Sequence, residues 1–108
     1  MPAARKDAFS LEEQQLAAVA RALSHPARIA ILCELAQRNT CIRGEIVSAL
    51  PLSQSTVSQH LQVLLEVGLI QGTVDGPRSC YCLNTSAIKA FGKAFGDLFQ
   101  TLVNCKCC

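Results

Sequence analysis

Charge is scarce in this sequence. Only 17% of its 108 residues are Asp, Glu, Lys or Arg, and the net charge is +2. Between Arg38 and Arg78 three arginines are balanced by Glu45, Glu66 and Asp75. That excludes a broad basic field, so any affinity for nucleic acid rests on local placement of charge. No apolar run approaches the roughly 20 residues that span a bilayer. The segment Met1 to Lys6 lacks the apolar stretch of a secretion signal, so a cytoplasmic location is expected, where thiols stay reduced. There is no phosphate loop. Neither a Cys-His nor a Ser-His-Asp set occurs in an order that suits a catalytic cleft, and the two histidines, His25 and His60, sit in structural contexts. An enzyme is not expected.

Apolar surface and sulfur are plentiful instead. Half of the residues are hydrophobic, which is rich for a chain long enough for a single core. Some of that surface is expected to be shared with a partner subunit. The seven cysteines are an odd number, and without a secretion signal they point to metal binding or thiol redox chemistry, not a disulfide scaffold.

Read along its length, the chain is mostly helical. Ser10-Leu11-Glu12-Glu13 fits a capping box that opens a first helix ending near Ala22 or Leu23, with Leu16, Val19, Ala20 and Leu23 on its apolar face. Pro26 suits the first turn of a second helix. It carries Ile29, Leu32, Cys33, Leu35 and Ala36 and ends near Arg38-Asn39; Cys33 is read as a core residue beside Ile29 and Ala36. Thr40 can cap a short third helix holding Ile42, Ile46, Val47 and Leu50, which Pro51 ends. Ser53 caps a fourth, and Gly68 stops it. The third and fourth helices lie only a few residues apart, the spacing of a helix-turn-helix. Leu69 to Val74 and Ser79 to Leu83 read as two strands around a Gly-Pro turn with Arg78 at its tip. A final helix from about Ser86 to Val103 spaces Ile88, Phe91, Phe95, Leu98 and Leu102 like a coiled-coil seam, and Phe99 widens it. The fold class is thus mostly α with a small β-hairpin: a winged helix-turn-helix of five helices plus a wing.

The fourth helix is the most informative element. Val57, Leu61 and Leu64 recur at helical spacing and face a core, while Gln54, Ser55, Ser58 and Gln59 point outward. Uncharged side chains that both donate and accept suit base edges in a major groove. A merely solvated helix would more often carry Lys and Glu, and neither occurs between Leu52 and Leu65. Gln54, Ser55, Thr56, Ser58, Gln59 and His60, with Arg78 on the wing, are the candidate DNA contacts. Ser55 and Thr56 have a second reading as first-turn residues that tie off free amides. His60 has one as a partly buried histidine bonded to nearby backbone.

Two segments carry a family likeness. Ala22-Leu23-Ser24-His25-Pro26-Ala27-Arg28-Ile29-Ala30-Ile31-Leu32 resembles the opening signature of the ArsR/SmtB metal-responsive repressors. Ser55-Thr56-Val57-Ser58-Gln59-His60-Leu61, with Leu64 and Val67-Gly68-Leu69-Ile70, resembles their recognition helix and its exit. The likeness runs from about Ala18 to Leu83. It implies a homodimer joined through the first and last helices, which represses its own operon and leaves DNA when a metal or metalloid binds. On this reading residues 1–9 are a flexible arm, 10–103 a winged-helix DNA-binding and dimerisation domain, and 104–108 a cysteine-rich tail.

The tail reads Asn104-Cys105-Lys106-Cys107-Cys108. Three thiols so close can converge on one ion, and thiolates select soft acceptors. A three-sulfur pyramid matches As(III) or Sb(III), which keep a lone pair in place of a fourth ligand. Zn(II) prefers four ligands, and no histidine lies in the final helix or tail. The family's zinc sensors that use this helix place Asp and His there, whereas here Asp97 stands alone. Many arsenic repressors of the family carry two cysteines at the start of the third helix. Cys41 occupies the first of those places and Arg43 the second, which shifts the expected site to Cys105, Cys107 and Cys108, with Cys41 as an additional donor. No permanent cofactor is expected; As(III) or Sb(III) would act as inducer.

Other readings stay open at this level. Cys107 and Cys108 can form a disulfide or mixed disulfide, giving a redox-responsive repressor. Cd(II), Pb(II) or a methylated trivalent arsenical, which needs only two thiols, are further inducers. Cys80 and Cys82 share a strand face and can either chelate together or pack half-buried. A metal-trafficking protein without DNA accounts for the tail but not for the Gln/Ser-faced helix or the basic hairpin tip.

Overall fold

A computed structural model describes residues 8–38, 50–73 and 80–107. Within them the elements run α1 (Leu11–Ala22), α2 (Pro26–Arg38), α3 (Gln54–Glu66), β1 (Ile70–Thr73), β2 (Cys80–Leu83) and α4 (Thr85–Val103). The helix expected over about 40–50 falls, but for Leu50, outside the described residues. Element α3 is therefore the polar-faced helix counted fourth from the sequence.

Local chemistry sets each boundary. At α1 the capping box closes in both directions: Glu13 N–H donates to Ser10 Oγ at 3.0 Å, and Ser10 N–H donates to Glu13 Oε1 at 2.9 Å. At the start of α2 the Ala27 amide donates to His25 Nδ1 at 3.0 Å, while Pro26 has no amide to satisfy. Ser53 Oγ accepts the Thr56 amide at 3.3 Å to open α3. Asn84 Oδ1 accepts the Ala87 amide at 3.3 Å to open α4. The exit of α3 is a complete Schellman turn. The Gly68 amide bonds Leu65 O at 3.1 Å and the Leu69 amide bonds Leu64 O at 3.0 Å. Gly68 itself stands at φ +85°, a conformation that costs a side-chain-bearing residue energy.

The core lies where α1, α2, α3 and the hairpin meet. Val19, Ala22, Ile31, Leu35, Val57, Leu61, Leu64, Leu69, Ile70 and Tyr81 are buried there. Val57, Leu61 and Leu64 form the stripe expected of α3, and each contributes about 1.5–3 kcal/mol through burial. The strands pair antiparallel, with Ile70 opposite Leu83, Gln71 opposite Cys82 and Gly72 opposite Tyr81. Gly72 is a steric necessity: at φ +127°, a β-carbon there would lie 2.0 Å from the Cys80 carbonyl oxygen.

Two helix faces differ from the expectation. On α1 Ala20 is exposed, and Ala22 joins Val19 in the core while Leu16 and Leu23 are half-buried. On α2 the buried residues are Ile31 and Leu35, flanked by half-buried Leu32. Cys33 and Ala36 are exposed and Ile29 is 43% exposed, so Cys33 is not a core residue. The segment Pro26–Arg38 is apolar around most of its circumference, and periodicity cannot select a stripe when several qualify. The packing partner selects it.

Helix α4 has no fully buried residue. Ile88, Phe91 and Phe95 pack against the core, but Leu98, Phe99, Leu102 and Val103 are 39%, 57%, 57% and 75% exposed. Its seam therefore outruns the body it packs on. The radius of gyration, 16.1 Å, exceeds the ~13 Å of a compact chain of about this length. No single described helix is long and apolar enough to cross a membrane.

Candidate nucleic-acid interface and thiol cluster

The outward side of α3 begins at its cap. Ser53 Oγ lies 3.2 Å from Ser55 Oγ and donates to Thr56 Oγ1 at 2.9 Å while accepting the Thr56 amide. Ser55 and Thr56 thus belong to a hydroxyl network around the first turn. Gln54, Ser55 and Gln59 are exposed and Ser58 is half-exposed. Gln54, Ser58 and Gln59 make no side-chain hydrogen bond to another described residue. The first turn also presents backbone amides and the positive end of a helix dipole, which favour a phosphate.

Behind this face lies a polar cluster that sequence reasoning missed. Arg28 Nε donates to His60 Nδ1 at 3.2 Å. The Arg28 Nη1 group also donates to Arg21 O and Ala22 O at 3.1 and 3.3 Å, capping the last carbonyls of α1. The rings of His25 and His60 lie 4.5 Å apart between centroids. One guanidinium therefore ties the end of α1 and the start of α2 to the middle of α3. His60 is partly buried, as one of its two readings had it, but its bond is to the Arg28 side chain and not to backbone. Burial is the main cause that holds His60 below its ordinary pKa of 6.5, with the positive charges of His25 and Arg28 adding to it. The available signal was the run Ser24-His25-Pro26-Ala27-Arg28, which places an arginine one turn into a helix opposite another helix's open end.

The tail continues directly from α4. Asn104 caps the helix, and the Cys105 amide still bonds Leu102 O at 3.2 Å. Cys105 Sγ and Cys107 Sγ lie 2.7 Å apart, both exposed. Bonding to Cys107, through its side chain first and its backbone second, holds the Cys105 thiol below its ordinary range. The carboxyl end of a 19-residue helix carries partial negative charge and favours a cation nearby. Cys108, Cys41 and Arg78 lie outside the described residues. Among the described residues no group of three His, Cys, Asp or Glu side chains is assembled to hold a metal.

Known proteins place this arrangement. A profile described as "Bacterial regulatory protein, arsR family" matches residues 25–71, from the start of α2 through the recognition-like helix into β1. The HTH-type transcriptional regulator YgaV of Escherichia coli is 35% identical over 94 residues, covering 87% of this chain and 88% of that protein. The chain belongs to the arsR family. The HTH-type transcriptional regulator CmtR of Mycobacterium tuberculosis is 34% identical over 93 residues, covering 86% of this chain and 75% of its own. Among solved structures, HlyU from Vibrio cholerae superposes with a TM-score of 0.63 at 28% identity, covering 84% of this chain and 98% of that one. As an arsR-family member the protein is a DNA-binding transcriptional regulator and not an enzyme. The profile ends before β2 and α4, so it says nothing of the tail thiols.

Proposed function

We propose that this arsR-family regulator is a homodimeric repressor, released from operator DNA when As(III) or Sb(III) binds Cys105, Cys107 and Cys108. The observation that carries the reading is the contact between the Cys105 and Cys107 sulfurs at the exposed end of α4, one of them a thiol held below its ordinary pKa range. Two soft donors already converge there, and Cys108, next to Cys107 in the sequence, would supply a third. Cys41 is an additional donor.

Dimerisation is supported by the unpartnered apolar end of α4 and by Phe9 and Leu11 at the start of α1, 56% and 83% exposed. A second copy covers both. The two α3 helices would then enter successive major grooves, about 34–36 Å apart. Gln54, Ser55, Ser58 and Gln59 would meet base edges or phosphates, each good base contact discriminating by roughly 1–3 kcal/mol. Arg78 on the wing would meet phosphate. Thr56 serves the cap, and His60 orients the helix through Arg28.

Metalloid capture orders the tail at the end of the dimer helix. Its packing against α1 changes, and with it the spacing of the two α3 helices. Release requires that the ligand bind the DNA-incompetent form more tightly; a coupling of about 1–3 kcal/mol weakens operator binding roughly 5- to 150-fold. The test replaces Cys105, Cys107 and Cys108 with serine. Operator binding by the reduced protein should persist while arsenite no longer releases it, and a variant still released by arsenite removes the tail from the mechanism. The lowered Cys105 thiol also supports a redox reading, since thiolates are the oxidisable form. Release by dilute peroxide with arsenite inert would favour that reading.

A further inference from the structure

The hairpin carries two thiols that the proposed function leaves unused. Side chains alternate along β2. Tyr81 points into the core and is 1% exposed, so Cys80 and Cys82 share the opposite face, where both are free and partly exposed. The register sets Gln71 opposite Cys82 and Thr73 opposite Cys80, and Gln71 Nε2 donates to Cys82 Sγ at 3.9 Å. Neither sulfur is core filler, the usual place of a free cysteine.

Strand geometry restricts what such a pair can do. Residues two apart on a strand stand about 6.7 Å from each other. A disulfide brings β-carbons to about 3.5–4.5 Å, so the pair cannot oxidise internally while β2 stays regular. An ion with bonds to sulfur of about 2.3 Å adds its own span and bridges sulfurs that lean together. Among the described residues no third donor joins the two, so the pair by itself matches a ligand with two exchangeable positions.

We propose that Cys80 and Cys82 form a bidentate site for a trivalent arsenical that carries one organic substituent. Two As–S bonds form and two As–OH bonds break. Each thiol proton leaves with a hydroxide as water, and no oxidation state changes. The site lies on the hairpin, not on the dimer helix, and stands independently of the tail assignment.

The test uses the full-length reduced protein with Cys33, Cys41, Cys105, Cys107 and Cys108 changed to serine, and phenylarsine oxide as the probe. Intact-mass spectrometry should find one phenylarsenic adduct per chain. Adding Cys80→Ser or Cys82→Ser should weaken retention roughly 10²–10⁴-fold, the loss expected when an intramolecular second bond is removed. A helical five-serine variant without an adduct, or a single Cys80→Ser chain that holds it equally well, overturns the proposal. If the five-serine chain does not fold, the wild-type protein decides by alkylation mapping at saturating probe. Joint protection of Cys80 and Cys82 supports the site, and alkylation of both at their free rates sinks it. A tail variant that still releases DNA with arsenite changes none of these outcomes.

Discussion

Arg28→Ala tests whether one guanidinium holds α3 in place. Arg28 makes three hydrogen bonds, to Arg21 O, Ala22 O and His60 Nδ1, at 3.1, 3.3 and 3.2 Å. Net values run about 0.5–1.5 kcal/mol for a neutral bond and about 1.5–3 for one to a charged group. All three bonds are solvent-exposed or only part-buried, so about 0.5–1 kcal/mol applies to each and the sum is roughly 1.5–3 kcal/mol. The assay is urea unfolding at fixed protein concentration, because the stability of the proposed dimer depends on it. A cycle with His60→Ala isolates the pair, with an expected coupling of about 0.5–1.5 kcal/mol. Arg28→Lys should not rescue, since a point-like ammonium cannot serve three acceptors in a planar fork. A second readout is pH. The folded state depresses the His60 pKa below 6.5, so as pH falls through that value the unfolded chain takes up a proton first. Stability is therefore complete above about 6.5, declines as pH falls, and levels off below the folded pKa. His60→Ala should flatten that decline. If Arg28→Ala costs under about 0.5 kcal/mol, or Lys restores the wild-type midpoint, the guanidinium does not organise the helix junction.

Three further outcomes follow from the structure. Ser53→Ala removes the α3 cap and should cost about 0.5–2 kcal/mol in the same unfolding assay, with Ser53→Asp close to wild type. Gly72→Ala places a β-carbon 2.0 Å from the Cys80 carbonyl oxygen; strand pairing should be lost, seen as fast exchange of the Cys82 and Asn84 amides that face β1, and unchanged protection would contradict the register. Phe99→Ser with Leu102→Ser should yield monomers in sedimentation, since each side chain is worth about 1.5–3 kcal/mol when buried and a twofold axis counts each twice. A persistent dimer would place the interface elsewhere.

Elements with strong local chemistry were legible in advance. Ser10 with Glu13, Ser53 before a polar-faced helix, and Gly68 after it each act within one helical turn, so their effect needs no distant partner. The α3 stripe of Val57, Leu61 and Leu64 was readable because polar residues separate its apolar positions. The Pro26–Arg38 helix gave no such contrast, and Cys33 was placed on the wrong side. Of the candidate site, the exposed Gln54, Ser55 and Gln59 and the proximity of Cys105 to Cys107 could be anticipated from spacing. The partner of the partly buried His60 could not, because Arg28 lies 32 residues away.

From its residues alone, this chain determined the kinds of element it forms, their order, and a thiol-rich end chemically suited to soft ions. Those properties depend on side-chain periodicity, caps and donor type, all set by neighbours in the chain. Tertiary packing decided which stripe of α2 is interior, how Arg28 joins three helix segments, and how much of α4 a single chain leaves uncovered. Burial is a relation between surfaces far apart in sequence, and only the assembled fold brings those surfaces into contact.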